Sequence, residues 1–172
     1  MLSETAKSSF DNVFRDSILN TCSGDRPVSV TEIEKTEVED AYDLLAITLS
    51  MTELKILCIM YIGVPEDAEE NKDNMSFSNS DHLYELLNTV GGKLKAYLLQ
   101  YFPLIGISTP NWLHFNDFSY ENHIDDEFRK HYSVDLDSSS FILSFYLAPY
   151  ETVDFEYSGE TEEDTGGLIE FL

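Results

Sequence analysis

Apolar positions recur along this chain with two different periods, and the switches between them predict its elements. Between Ser3 and Leu19, the residues Phe10, Val13, Phe14, Ile18 and Leu19 return at helical spacing, and Ser3 with Thr5 offers a side-chain cap at the start. An irregular polar stretch follows through Asp40. Leu44–Met51 and Leu54–Val64 are β-rich apolar runs on either side of Thr52-Glu53, a pattern that predicts a buried hairpin, although the second run alone would also suit a core helix. Pro65–Ser80 is polar and acidic, a loop by composition. From Asp81 the helical period returns: Leu83, Leu87, Val90, Leu94, Tyr97 and Leu98 form one apolar stripe, which stops near Phe102-Pro103. Ile105–Phe115 reads as a strand that Pro110 either demotes to a sheet edge or forces into a bulge. Asn116–Lys130 is a charged connection with room for one helical turn. Tyr132, Val134 and Leu136, then Phe141, Leu143, Phe145 and Leu147, alternate with polar residues around Asp137-Ser-Ser-Ser140, which predicts a second hairpin. The sum is an α+β fold, a largely antiparallel sheet with two long helices packed on it. It fills a domain over residues 3–150, followed by an acidic C-terminal extension over 151–172.

The helix that starts at Asp81 is regular on one side only. Asp81, Glu85, Asn88 and Gly92 cluster on the face roughly 160° from the centre of the apolar stripe. In a helix interior Asn costs about half a kcal/mol and Gly about 1 kcal/mol relative to Ala. This helix nevertheless carries Asn88, Gly91 and Gly92 close together. A solvated face needs no such residues, so something other than helix stability bears on their choice.

Composition narrows the functional classes. A chain of 172 residues, 42% hydrophobic and 13% aromatic, suits one folded domain. Its formal net charge of -23 argues against binding to nucleic acid or an anionic membrane, both of which require a positive surface. The same charge is compatible with simple solubility, or with an acidic mimic that inhibits a basic partner. No apolar signal-type stretch follows Met1, and the run Ile56–Val64 is too short to span a bilayer, so the expected location is the cytoplasm, without membrane insertion. Cys22 and Cys58 lack metal spacing and fit free thiols in a reducing compartment, Cys58 as an inert core thiol.

Several standard chemistries are missing from the sequence. There is no G-x-S-x-G, no phosphate-binding P-loop, no G-x-G-x-x-G and no H-E-x-x-H. His82, His114, His123 and His131 show no ligand spacing. The acidic run Glu66-Asp67-Ala68-Glu69-Glu70 lacks the Gly and terminal Glu of a calcium loop, and it reads as solvated charge, as does Asp125-Asp126-Glu127.

What remains is Glu85 with Asn88, spaced i and i+3 and therefore neighbours on one helix face. An Asn amide is no base, but it presents an acceptor and donors in fixed geometry and can orient a water for in-line attack. An ionised Glu can grip a partner's cation and fix the docking register. Gly92 would let a partner's backbone come close to the Asn. Since the pair brings no metal ligand or phosphate clamp, any phosphoryl substrate must carry its own metal and its own activated phosphate.

The spacing Asp81-x3-Glu85-x2-Asn88, the Gly91-Gly92 that follows and Pro110 on the next strand resemble the signature of the CheC/CheX/FliY family of chemotaxis phosphatases, most closely the CheX type. The resemblance spans roughly residues 3–150 and implies a CheC-like fold. It implies hydrolysis of the aspartyl phosphate of a phosphorylated CheY-type response regulator, in chemotaxis or two-component signalling. Glu85 would then contact a Lys of the regulator, Asn88 would position the hydrolytic water, and Asp81 and Gly92 would contribute to partner binding. The family has no cofactor of its own, and the Mg2+ is expected on the regulator. CheX-type proteins also form homodimers, which the edge strands here would permit.

Other readings stay open at this stage. A module of the same fold would bind a regulator or a flagellar or chemotaxis component without hydrolysis. Glu85 and Asn88 also read as an ordinary solvated face, with Gly91 marking a helix C-terminus before a second helix. Asp81 has a simpler reading as an N-cap, and Pro110 as a structural bulge-former. Leu99 falls on the motif face, as a partner contact or as a residue covered by the C-terminal extension.

Overall fold

The computed structural model describes residues 1–23, 28–34, 43–62, 77–114, 127–136 and 139–159. In chain order these form α1 (Glu4–Cys22), β1 (Ser29–Glu32), β2 (Asp43–Ser50), β3 (Leu54–Ile62), α2 (Phe77–Leu98), β4 (Gly106–Ile107), β5 (Asn111–His114), β6 (Phe128–Leu136) and β7 (Ser139–Pro149). The strands make one 7-stranded sheet in the order β1-β6-β7-β3-β2-β4, with β5 also paired to β2. Every strand pairing is antiparallel, and both helices pack on one face, so the α+β expectation is met.

The two expected hairpins form around the expected turns. β2 and β3 pair from Ser50↔Lys55 outward, and the Met51 N–H donates to the Leu54 carbonyl across Thr52-Glu53 at 3.1 Å. The run from Leu54 is therefore a strand and not a core helix. Its unbroken apolar character follows from burial on both faces. Ile56, Cys58 and Met60 join the main core under the helices, while Ile59 and Tyr61 join a smaller cluster on the other face with Leu44, Ala46 and Tyr146. β6 and β7 pair from Leu136↔Ser139 outward.

α1 starts where its cap is. The Ser3 side chain accepts the Ala6 N–H at 3.0 Å, satisfying one of the free donors of the first turn. Phe10, Val13, Phe14 and Ile18 are fully buried, and the Phe14 ring stacks on Phe145 with centroids 4.2 Å apart. In α2 the stripe Leu87, Val90, Leu94 and Leu98 is fully buried against the sheet. Tyr97 turns toward α1, where its hydroxyl accepts from Asn20 Nδ2 at 2.6 Å.

Four expectations need correction. The stretch through Asp40 is not all irregular: Ser29–Glu32 forms β1, a strand at the sheet edge where Val30 pairs with Val134. α2 begins at Phe77, inside the expected loop, so Asp81 lies within the helix and does not cap it. α2 runs unbroken through Gly91 to Leu98, so that glycine ends no helix. β6 begins at Phe128, within the expected connection, because pairing with β7 extends to Phe128↔Leu147. The acidic run Glu66–Glu70, the rest of the loop up to Ser76, Asn116–Asp126 with His123, the turn residues Asp137-Ser138 and the end of the chain from Glu160 lie outside the described residues.

The segment after β7 joins the helical layer. Val153 bridges Leu2 in parallel, and the two backbones exchange bonds from the Val153 N–H to the Met1 carbonyl (2.9 Å) and from the Ser3 N–H to the Val153 carbonyl (3.1 Å). Ser9 Oγ donates to the Phe155 carbonyl and accepts the Tyr157 N–H. The Phe155 ring meets Phe10 edge-on at 4.8 Å, and the Tyr157 hydroxyl donates to Asp16 at 2.9 Å. Acidic in composition, this stretch alternates Val153, Phe155 and Tyr157 into the core.

Candidate functional site

The site candidates all lie on the outer side of α2. Asp81, Glu85, Asn88 and Gly92 are exposed, and Glu85 to Gly92 cover roughly 10 Å of helix at 1.5 Å per residue. The Thr89 hydroxyl folds back on the Glu85 carbonyl at 2.8 Å, which keeps that hydroxyl away from the open face. Among the described residues none reaches the Glu85 carboxylate or the Asn88 amide by hydrogen bond or ion pair. Both groups are therefore presented outward and unspent.

The two adjacent glycines have different causes. A Cβ on Gly91 would stand 2.8 Å from Ile47 Cδ1, closer than real side chains approach, and 3.0 Å from Ile107 Cδ1, a tight contact. Gly91 lets α2 seat on the β2–β4 seam without displacing those Ile ends. A Cβ on Gly92 would meet nothing within 4 Å. No packing contact requires Gly92.

Those Ile contacts also fix the orientation of the face. Gly91 points to β4 and Tyr97 points to α1, on opposite flanks of the buried stripe. Asn88 is rotated from the stripe toward the Gly91 flank, about 180° from Tyr97 at 100° per residue. The motif thus opens on the β4–β5 edge, away from α1. The C-terminal segment lies on the far flank: Tyr157 packs on Tyr97, Phe155 on Tyr101 and Phe102, and the Tyr101 hydroxyl donates to the Glu156 carbonyl. Residues up to Gly159 leave the motif face uncovered, and Leu99 on that face is 47% exposed.

Pro110 is buried beside this edge and does what a strand proline does. β4 pairs as Leu49↔Ile107, β5 as Ala46↔Asn111, so three residues (Ser108, Thr109, Pro110) face two on β2. That extra residue is a bulge. The Ser108 side chain repairs the ladder by accepting the Thr48 N–H at 3.0 Å, while the Ser108 N–H donates to the Thr48 carbonyl at 2.9 Å.

The other titratable groups take structural places. His131 is buried in the sheet with Nδ1 2.6 Å from Ser144 Oγ, and His82 is exposed. Burial drives the Cys58 thiol pKa far upward and the Cys22 thiol up to about 11, so neither offers a thiolate at neutral pH. Among the described residues, no three His, Cys, Asp or Glu side chains are grouped to hold a metal. No described helix is long and apolar enough to cross a membrane.

The fold can be set beside known structures. A chemotaxis protein CheX from Vibrio vulnificus superposes with a TM-score of 0.55 at 15% identity, over 81% of this chain and 99% of that one. This chain has the CheC/CheX fold. A CheC-like superfamily protein from Shewanella sp. PV-4 gives 0.53 at 14% identity, over 81% and 97% of the two chains. A CheX-CheY-BeF3-Mg+2 complex from Borrelia burgdorferi gives 0.53 at 11% identity, over 81% and 96%. No family model matches the sequence, and neither does any curated protein.

Proposed function

We propose that this CheC-like chain is a phosphatase for a CheY-type response regulator, acting in chemotaxis or two-component signalling. The observation that carries the reading is the open line of Glu85, Asn88 and Gly92 on α2 of a CheX-like fold, with Gly92 free of any packing contact. A CheX–CheY complex among structures of this fold supports the choice of partner.

An aspartyl phosphate is a mixed anhydride, already activated toward water. In the proposed step, water attacks phosphorus in line with the departing carboxylate oxygen, the P–O bond to the aspartyl group breaks, and inorganic phosphate and a free Asp carboxylate result. Asn88 reaches into the regulator's site and holds the water through its amide. Glu85 pairs with a regulator Lys and fixes the register of that approach, and Asp81 adds a second carboxylate to the docking face. The Mg2+ of the reaction is expected on the regulator. Positioning alone has modest work to do, since a few hundred-fold acceleration corresponds to about 3–4 kcal/mol of barrier.

The test mixes the protein with a phosphorylated CheY-type regulator and follows phosphate loss with wild type and with Asn88→Ala. Acceleration by wild type alone is the expected result, and identical spontaneous decay in both sinks the hydrolytic reading. Binding that survives with no acceleration by either protein would instead favour a docking module of the same fold.

A further inference from the structure

Trp112, the chain's single tryptophan, is 45% exposed on β5. Its register places it. Trp112 pairs with Leu45, so both side chains point to the helix side of the sheet, and Leu45 is fully buried in the same core as Leu87 and Val90 of α2. The Ser108–Pro110 bulge decides this. In the β4 register the partner of Leu44 would be residue 112, and the indole would point to the opposite face; one inserted residue turns it to the α2 side. Along β2, Ile47 lies under Gly91; α2 ends eight residues before Gly106, which pairs with Ser50 at the end of β2, so Leu45 lies from Ile47 toward the start of α2. Trp112 flanks Leu45 on the outer edge, the flank toward which Asn88 is rotated.

We propose that Trp112 forms the second wall of the regulator-docking surface, so that the regulator wedges between its indole and the ridge of Glu85, Asn88 and Gly92. This rests on the regulator reading above. A single helix ridge is narrow beside the roughly 800 Å² per partner of a specific interface, and a half-exposed Trp on the sheet edge that flanks that ridge is the residue type that anchors such contacts. The net charge of -23 turns away nucleic acid and anionic lipid, whereas a regulator that offers a Lys to Glu85 suits a face bearing Asp81, Glu85 and an apolar ring. A second copy of this chain added along the β5 edge would use backbone groups and has no need of the indole.

One tryptophan gives one indole N–H resonance, so the test is spectroscopic. The 15N-labelled protein is titrated with an unlabelled, BeF3-activated CheY-type regulator, and the Trp112 indole and Asn88 side-chain amide signals are followed together. Both are expected to shift on the same binding curve. Trp112→Ala should raise Kd and the KM for the phosphorylated regulator about tenfold and leave kcat nearly unchanged, while Trp112→Phe restores most of the affinity. An Asn88 shift with a silent indole overturns the second wall but leaves the regulator reading intact. Silence of both signals overturns both. An indole that shifts on concentrating the protein alone assigns Trp112 to self-association and overturns the proposal.

Discussion

The two sides of α2 obey different rules, and its neighbouring glycines show this in adjacent residues. Gly91 serves the packing, because a side chain there would push the ends of Ile47 and Ile107 aside. Gly92, one residue on and about 100° around, faces open space, where Ala would fit and would make a better helix. On the packed side every apolar residue is explained by a contact: Leu87, Val90, Leu94 and Leu98 are fully buried. On the open side the sequence keeps an Asn and a Gly that weaken the helix; among the described residues none hydrogen-bonds the Asn88 amide, and a Cβ at Gly92 would meet nothing within 4 Å. Local rules broken without a structural return mark the places where function is to be sought.

Neighbouring residues on opposite faces of α2 should respond to truncation in opposite ways. Asn88→Ala should abolish a few hundred-fold acceleration of regulator dephosphorylation, about 3–4 kcal/mol of barrier. The same change should leave the fold as stable or more stable by about half a kcal/mol, since Ala is the better helix former. If the melting temperature falls together with activity, the division between the faces is wrong. Leu87→Ala, one residue away, should cost about 3 kcal/mol in urea denaturation, because it removes a fully buried side chain and leaves a cavity against the sheet. Its remaining folded protein should still bind the regulator.

Gly91→Val comes next in size. Branching at Cβ drives atoms into Ile47 and Ile107, and about 2 kcal/mol of destabilisation is expected. Pairing it with Ile107→Ala should recover part of that loss, a coupling that double-mutant analysis of urea midpoints would measure.

The packed side also has a pH signature. Burial first, then the hydrogen bond to Asp16, hold the Tyr157 proton well above the ordinary tyrosine value. Burial and the bond to Asp11 act in the same direction on Tyr132. Above about pH 10 the unfolded phenols release protons that the folded ones keep, so the stabilisation is intact below that pH and is lost as pH rises beyond it. Thermal melts between pH 9 and 11 (roughly the window the ordinary tyrosine value sets) should show Tyr157→Phe falling less steeply than wild type. Equal slopes would mean that the C-terminal segment is not held to α1 through this hydroxyl.

The same contrast explains what could be read from the sequence. Elements with long periodic burial were legible: the α1 stripe, the β2–β3 and β6–β7 hairpins, and the α2 stripe. β1 was not, since Ser29–Glu32 is short, largely exposed and held by β6 and not by its own pattern. The start of β6 was hidden because Arg129 and Lys130 look like a connection until pairing with Tyr146 and Phe145 places them in a strand. Val153, Phe155 and Tyr157 do alternate in the sequence, but the acidic residues around them outweighed that signal. At the site, Glu85 and Asn88 could be found because helix spacing alone sets their neighbourhood. Trp112 could not, because its direction depends on a one-residue bulge that appears only in the β2 register. The different causes of Gly91 and Gly92 were equally invisible, since they depend on what lies across the helix and not along it.

The smallest expected effect discriminates best. Gly92→Ala adds one methyl to open space, so it should raise stability by about 0.5–1 kcal/mol through helix propensity and a less flexible unfolded chain. A methyl there stands about one helical turn beyond Asn88, on the surface a docked regulator would cover. Regulator affinity and dephosphorylation should therefore drop several-fold while the melting temperature rises, with Asn88 itself untouched. A merely solvated face predicts the stability gain with no functional cost. A face kept open for a partner predicts the two changes in opposite directions, and a urea midpoint measured beside a dephosphorylation rate on the same preparation decides between them.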